Sequence, residues 1–249
     1  MRRLLVALSI LTSLPVRVTP SPEELVGSVP YFPLAGALVG SLLAALHLAL
    51  GRLLPGQVEA AVLLLAAWLV TGGIHLDGLA DTADGLACAG PRAQVLEVMR
   101  DPRVGAAGAA ALALDLILKW SCLATTAPVY LPAVLLLMPV TGRQAVVLAM
   151  WRYPAARGRQ GLAASFAGNV SGRHVLAALT VTAVLFLLAS FAGPRPAPCW
   201  LAAGAGVGAG LLVAALVARR LGGITGDTYG AVCEVAEAAF LVGVSLWHA

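Results

Sequence analysis

The sequence predicts an all-α protein, a polytopic bundle of membrane-spanning helices. Three observations carry that reading. Of the 249 residues, 60% are hydrophobic and 11% are charged, whereas a soluble domain carries roughly 25% charged residues. The mean hydropathy is +0.91. The apolar residues also come in runs long enough to cross a hydrocarbon core of ~30 Å.

The first run is the exception. Met1 to Leu14 opens with Arg2 and Arg3, continues with an apolar stretch from Leu4 to Leu14, and is closed by Pro15. It resembles the front of a signal peptide, but no small-residue cleavage site follows. It is also too short to span as a helix. The segment reads as an uncleaved interfacial or re-entrant helix.

Later runs, at about 31–54, 58–76, 104–126, 129–150, 174–193, 198–218 and 229–247, read as spans. Their number is seven, or six if one pair is re-entrant. Pro55-Gly56, Pro128, Gly193-Pro194 with Pro196 and Pro198, and Gly222-Gly223 mark breaks. The Gly36-xxx-Gly40 pair and the Gly204, Gly206, Gly208, Gly210 series suit close helix packing. Residues 1–249 read as one integral-membrane domain.

Basic residues orient the bundle. With the N-terminus in the cytoplasm, the cytoplasmic segments hold Arg2, Arg3, Arg17, Arg92, Arg100, Arg103, Arg152, Arg157, Arg159, Arg173, Arg219 and Arg220. The opposite side holds Arg52 and Arg195. That asymmetry follows the positive-inside rule and accounts for the net charge of +4 without a nucleic-acid partner. The same orientation puts the segments 77–101, 152–173 and 222–227 on one face, where three polar loops can build one site. The scattered cysteines Cys88, Cys122, Cys199 and Cys233 form no CxxC or metal spacing and read as small buried residues.

The chemistry is concentrated in TGGIHLDGLADTADG, Thr71 to Gly85. Asp77, Asp81 and Asp84 are spaced i, i+4, i+7, which puts them within roughly 60° of one another on a helix. Three like charges on one stripe repel, and a membrane edge gives them little water to screen the repulsion. A bound hard cation such as Mg²⁺ relieves the conflict, because it takes oxygen ligands. Glu97 and Asp101, at i and i+4 in QVLEVMRDPRVG, form a second acidic pair on one helical face. Glu97 joins the three aspartates as a candidate metal ligand, and Asp101 is the first candidate for general base. Carboxylates in this number can hold one or two metal ions for in-line displacement at phosphorus. His75 either hydrogen-bonds the turn or acts in catalysis, and is the second candidate base. Arg100 and Arg103 either neutralise phosphate oxygens or balance the acids.

Within the spans, Asp115 and Lys119 form an i, i+4 pair that reads as a mutual salt bridge. Arg143 lacks a local partner; it either snorkels to the cytoplasmic interface or points into the cavity, where it is a candidate phosphate contact. In GGITGDTYGAVCEVAEAAF, Gly223 and Thr225 belong to a glycine-rich turn whose N–H groups precede a helix start, where phosphate binds. Asp227 reads as its N-cap or as a substrate contact. Glu234 and Glu237 lie farther along the same span, and ionisable residues at that depth mark functional sites. Glu234 is counted with the substrate-binding set.

TGGIHLDGLADTADG, LEVMRDPRVG and RRLGGITGDTYGAVCEVAEAAFL together resemble the cobalamin-5′-phosphate synthase (adenosylcobinamide-GDP ribazoletransferase) family. The resemblance implies an enzyme of the bacterial or archaeal cell membrane, its site facing the cytoplasm, with Mg²⁺ as cofactor. It would join adenosylcobinamide-GDP to α-ribazole or α-ribazole 5′-phosphate, releasing GMP and forming adenosylcobalamin or its 5′-phosphate. The motif DxxDGxxAR…GxxxDxxxD of CDP-alcohol phosphotransferases is matched only at its opening, Asp81-xx-Asp84-Gly85, which makes lipid phosphotransfer the alternative. An ion-coupled transporter would explain Asp115, Glu234 and Glu237 but not the Asp77–Asp84 stripe.

Overall fold

A computed structural model describes residues 1–156, 158, 162–192 and 197–247. Arg157, Arg159, Arg195, Gly193-Pro194 and Pro196 lie outside the described residues. The described residues form twelve α-helices and one 3₁₀ turn. They are α1 (Arg2–Leu11), α2 (Pro22–Ser28), α3 (Phe32–Leu50), α4 (Gly56–Thr71), α5 (Ile74–Ala87) and α6 (Arg92–Val98). After them come α7 (Ala106–Thr125), α8 (Leu131–Arg152), α9 (Leu162–Phe166), α10 (Gly172–Ala192), α11 (Ala197–Leu221) and α12 (Gly226–Ser245).

Six helices among the described residues are long and apolar enough to cross a membrane: Pro22–Leu50 as one run, α7, α8, α10, α11 and α12. The expected span 58–76 is different. It ends at Thr71, and α4 and α5 meet at 91°. Gly72 and Gly73 make the corner with φ values of +64° and +71°, left-handed conformations that glycine adopts without Cβ strain. The acidic helix therefore leaves the direction of the span before it.

Helix α8 is the central post, buried along most of its length. Its neighbours approach it and α12 through small residues. A Cβ on Gly36 would lie 2.6 Å from Pro139 O, and one on Gly40 would lie 2.5 Å from Leu135 O, so α3 packs directly on the α8 backbone. On α11, Gly206 and Gly210 face α12, 2.5 Å from Ala236 O and 2.8 Å from Val232 O by the same measure. Gly204 and Gly208 face open space, so only two of the four glycines pack.

The N-terminal segment is a short helix that buries Val6, Ala7, Leu8 and Leu11 against the bundle. Ser13 fixes its end, donating from Oγ to Leu69 O at 2.6 Å and from its backbone N–H to Val70 O at 2.8 Å. Those carbonyls belong to the last turn of α4, where the helix supplies no further N–H groups beyond a long 3.4 Å bond from Gly72 to Leu69 O.

Candidate active site

Three loops meet at one end of the bundle. Arg92 donates from Nε to Leu221 O at 2.7 Å and from Nη2 to Ala156 O. Arg220 donates to Gly90 O. Ile224 N–H bonds Pro154 O at 2.9 Å, and Ala156 N–H bonds Ile224 O at 2.8 Å. The loops after α5, α8 and α11 are thus tied together by backbone acceptors and two arginines, which places the glycine-rich turn beside the acidic helix.

That turn starts α12, but its cap is not Asp227. Thr225 is the N-cap: its Oγ1 accepts from Thr228 N–H at 3.3 Å, and the Thr228 hydroxyl accepts from Thr225 N–H at 3.1 Å. Asp227 sits two residues past the cap, in the first turn, and accepts a 3.1 Å hydrogen bond from Thr225 Oγ1. Gly223 lies against Pro154 O and Ala156 N, a place with no room for a side chain.

Helix α5 carries Asp77, Asp81 and Asp84 along one face, as the spacing requires. Its start is pressed onto α12, and its end onto α6 and α7. Asp77 lines a cavity of about 310 Å³ together with His75, Thr225, Gly226, Asp227 and Tyr229. It also lines a more open cleft of about 810 Å³ between α4, α5 and α7, where Trp68 and Trp120 are the largest walls. Asp77 and Ile74 belong to both. His75 is buried, and its Nε2 has no hydrogen-bond partner.

Seven residues on, about 10 Å along the axis at 1.5 Å per residue, Asp84 plays a part the sequence did not disclose. Its Oδ2 accepts from Gly105 N–H at 2.7 Å and its Oδ1 from Gly108 N–H at 2.8 Å. Those N–H groups open α7, so Asp84 caps a neighbouring helix, where a carboxylate also meets the positive end of the dipole. Each oxygen keeps a second lone pair.

The second acidic pair is not on one helical face. Helix α6 ends at Val98, and tight turns follow, with Arg100 N–H on Glu97 O and Asp101 N–H on Val98 O. Glu97 and Arg100 are exposed. Asp101 accepts three hydrogen bonds from Arg103: from the backbone N–H at 3.0 Å, from Nε at 2.9 Å and from Nη2 at 2.6 Å. This clamp lowers the Asp101 pKa from the usual carboxylate value to about 2. Pro102 disfavours helix at Asp101, and the arginine two residues on then takes the freed carboxylate.

Behind His75, the charges in the spans converge. Lys119 lies 3.1 Å from Asp115 Oδ2, the expected i, i+4 pair, but it also contacts Glu234 directly and Glu237 at 3.5 Å. Arg143 pairs with Glu237. The partner that local sequence did not provide therefore comes from α12. Three carboxylates and two cations from α7, α8 and α12 close one buried network, and Arg143 Nε and Nη2 remain without hydrogen-bond partners. A small void of about 40 Å³ separates His75 from Lys119, Arg143, Glu234 and Glu237. A second buried pair, His47 Nδ1 with Glu59 Oε1 at 2.6 Å, joins α3 to α4. Sequence reading missed it because residues twelve apart on different helices share no local pattern.

Oxygen donors on one helix stripe are the right chemistry for a hard divalent cation. The side chains as they stand bring no three His, Cys, Asp or Glu groups together as a metal set among the described residues.

The family model described as cobalamin-5-phosphate synthase matches residues 3–245. Curated relatives called adenosylcobinamide-GDP ribazoletransferase align along almost the whole chain. The protein from Roseiflexus sp. (strain RS-1) is 40% identical, covering 96% of this chain and 88% of its own. That from Pseudomonas fluorescens (strain Pf-5) is 41% identical, covering 97% and 98%. That from Alkalilimnicola ehrlichii is 44% identical, covering 98% and 95%. No solved structure matches the chain. With a family model covering nearly all of it and relatives this similar, the chain belongs to the cobalamin-5-phosphate synthase family.

Proposed function

We propose that the protein is an adenosylcobinamide-GDP ribazoletransferase, a multi-pass membrane enzyme whose site faces the cytoplasm. A hydroxyl of α-ribazole or its 5′-phosphate attacks the phosphorus nearer the corrinoid. The new P–O bond forms as the bond to the bridging oxygen breaks, and GMP leaves with that oxygen. Family membership supports the activity. The observation that carries the site is the position of Asp77, where a cavity and a more open cleft share a wall. Two substrates can reach one point there from opposite sides.

Phosphoryl transfer is mainly positioning and charge stabilisation. Thr225 and Gly226 present the N-terminus of α12 to the cavity, where backbone N–H groups favour phosphate oxygens. The buried Arg143, with two nitrogens unpaired, holds positive charge behind His75. Arg100 and Arg103 lie on the exposed loop at the far end of α5 and would meet the diphosphate of the incoming donor. Glu234 supports the phosphate side indirectly, by holding Lys119.

Mg²⁺ is part of the proposal. Asp77 and Asp81 would hold it, with Asp84 contributing its remaining lone pairs; Glu97 enters by sequence pattern alone. When bound, the ion would draw charge from the phosphate oxygens. For the proton, His75 is the better placed acceptor. It lines the cavity beside Asp77 and Asp227 with Nε2 unbonded, whereas Arg103 occupies the Asp101 carboxylate.

The test uses the full chain in lipid nanodiscs with adenosylcobinamide-GDP, α-ribazole and Mg²⁺. Release of GMP that requires both α-ribazole and the protein is the expected result. GMP release independent of α-ribazole, or none at all, rejects the function.

A further inference from the structure

The 310 Å³ cavity is lined from α1, α3, α5, α8, α9 and α12 and has a two-sided character. Ile10, Leu11, Phe32, Val146 and Met150 make an apolar wall. Tyr229 and His75 line the cavity as well, and Tyr229 Oη and His75 Nε2 are buried without a hydrogen-bond partner. Tyr229 is 5% exposed and His75 6%. Leaving such groups unsatisfied is costly, and native structures rarely do so without a ligand or other explanation. At the mouth lie Asp77, Asp227 and the start of α12.

Granting the ribazoletransferase reading, we propose that this cavity is the acceptor subsite. The flat, apolar benzimidazole of α-ribazole lies on the wall formed by Ile10, Leu11, Phe32, Val146 and Met150. Its one free ring nitrogen accepts a hydrogen bond from Tyr229, and the ribose points to the mouth, bringing its hydroxyl to His75 and Asp77. Size makes the assignment. At about 310 Å³ the cavity is at the lower end of small-molecule sites, suited to a nucleoside. A donor carrying a corrin ring with its amide arms and a guanosine diphosphate is far too large for it and must reach Asp77 from the cytoplasmic end of the open cleft on its other side. The N-terminal helix thereby gains a function: Ile10 and Leu11 close the subsite.

Two measurements test the assignment on the full chain in nanodiscs. Calorimetric binding of α-ribazole alone does not depend on turnover, so it separates this proposal from the activity itself. Val146→Phe, which fills the cavity, should weaken α-ribazole binding at least tenfold, and the isosteric Tyr229→Phe should weaken it severalfold with the thermal midpoint unchanged. In turnover, both should raise KM for α-ribazole while KM for adenosylcobinamide-GDP stays within twofold. Val104→Trp, at the cytoplasmic end of the open cleft, should do the reverse. Unchanged α-ribazole binding in both Val146→Phe and Tyr229→Phe, or a rise in donor KM instead, overturns the subsite even if the enzyme is fully active. Absent GMP release with intact, Val146-sensitive α-ribazole binding would instead reject the reaction and keep the subsite.

Discussion

Gly78 and Gly230 face each other where α5 crosses α12: a Cβ on Gly230 would stand 3.0 Å from Gly78 Cα, and one on Gly78 would stand 2.4 Å from Asp227 O. No side chain separates the two backbones. This approach sets how far Asp77 lies from the start of α12, and so sets the width of the proposed site.

Gly78→Ala therefore forces the helices apart. Overpacking of this kind costs about 1–3 kcal/mol, so the thermal midpoint should fall. Transfer should drop more than tenfold, because Asp77 and Asp227 separate. An alanine variant with unchanged turnover would show that the spacing does not matter to the reaction.

Asp84 joins the acidic stripe to the start of α7. Asp84→Ala leaves Gly105 N–H and Gly108 N–H without acceptors and should cost about 0.5–2 kcal/mol, as loss of an N-cap does. Asp77→Asn removes no such bond, so its thermal midpoint should stay near the parent value while Mg²⁺-dependent activity collapses. Equal loss of stability in both variants would contradict the division between a capping and a metal-facing carboxylate.

Lys119 neutralises buried carboxylates from two helices. Lys119→Met leaves Asp115 and Glu234 without their cation, and breaking a buried pair costs about 3–5 kcal/mol. Detergent-solubilised variant should show a large drop in thermal midpoint. Replacing Glu234 by Gln in the same chain should recover part of it, since one uncompensated charge goes. If the double variant is no more stable than the single, the network is not electrostatically coupled as drawn.

The two candidate bases respond differently. His75→Gln should abolish transfer while α-ribazole binding persists, because the acceptor for the attacking proton is gone. Asp101→Asn should lower activity only severalfold, since Arg103 already holds the Asp101 carboxylate near a pKa of about 2. Single-turnover GMP release decides between them: a silent Asp101→Asn with an active His75→Gln would return the role to Asp101.

Membrane sidedness is read by cysteine labelling in a background lacking the native cysteines. Reporters at Gly90 and Gly158 should react from the cytoplasmic side and one at Pro55 only from the other. Labelling of Gly90 and Gly158 from opposite faces would separate loops that the hydrogen bonds of Arg92 join.

Much of this was legible in the sequence because its causes are local. Hydrophobic run length decides that a segment spans, and 3.6-residue periodicity puts Asp77, Asp81 and Asp84 on one face whatever surrounds them. Arginine counts group the polar loops, and the short first run is recognisable as a helix that cannot cross. What required the tertiary structure is every relationship between helices. Local sequence could pair Lys119 with Asp115, four residues away, but not with Glu234 on another helix, and it could offer Arg143 no partner at all. It read 58–76 as a span running up to the acidic stripe, because a run of apolar residues carries no direction; the 91° corner lies in the backbone dihedrals of Gly72 and Gly73. It could not show that Asp84 also caps α7, because the N–H groups it accepts from belong to a helix that starts more than twenty residues later. Residue type and spacing determine which groups a helix face offers; only the packing of helices decides which of those groups meet.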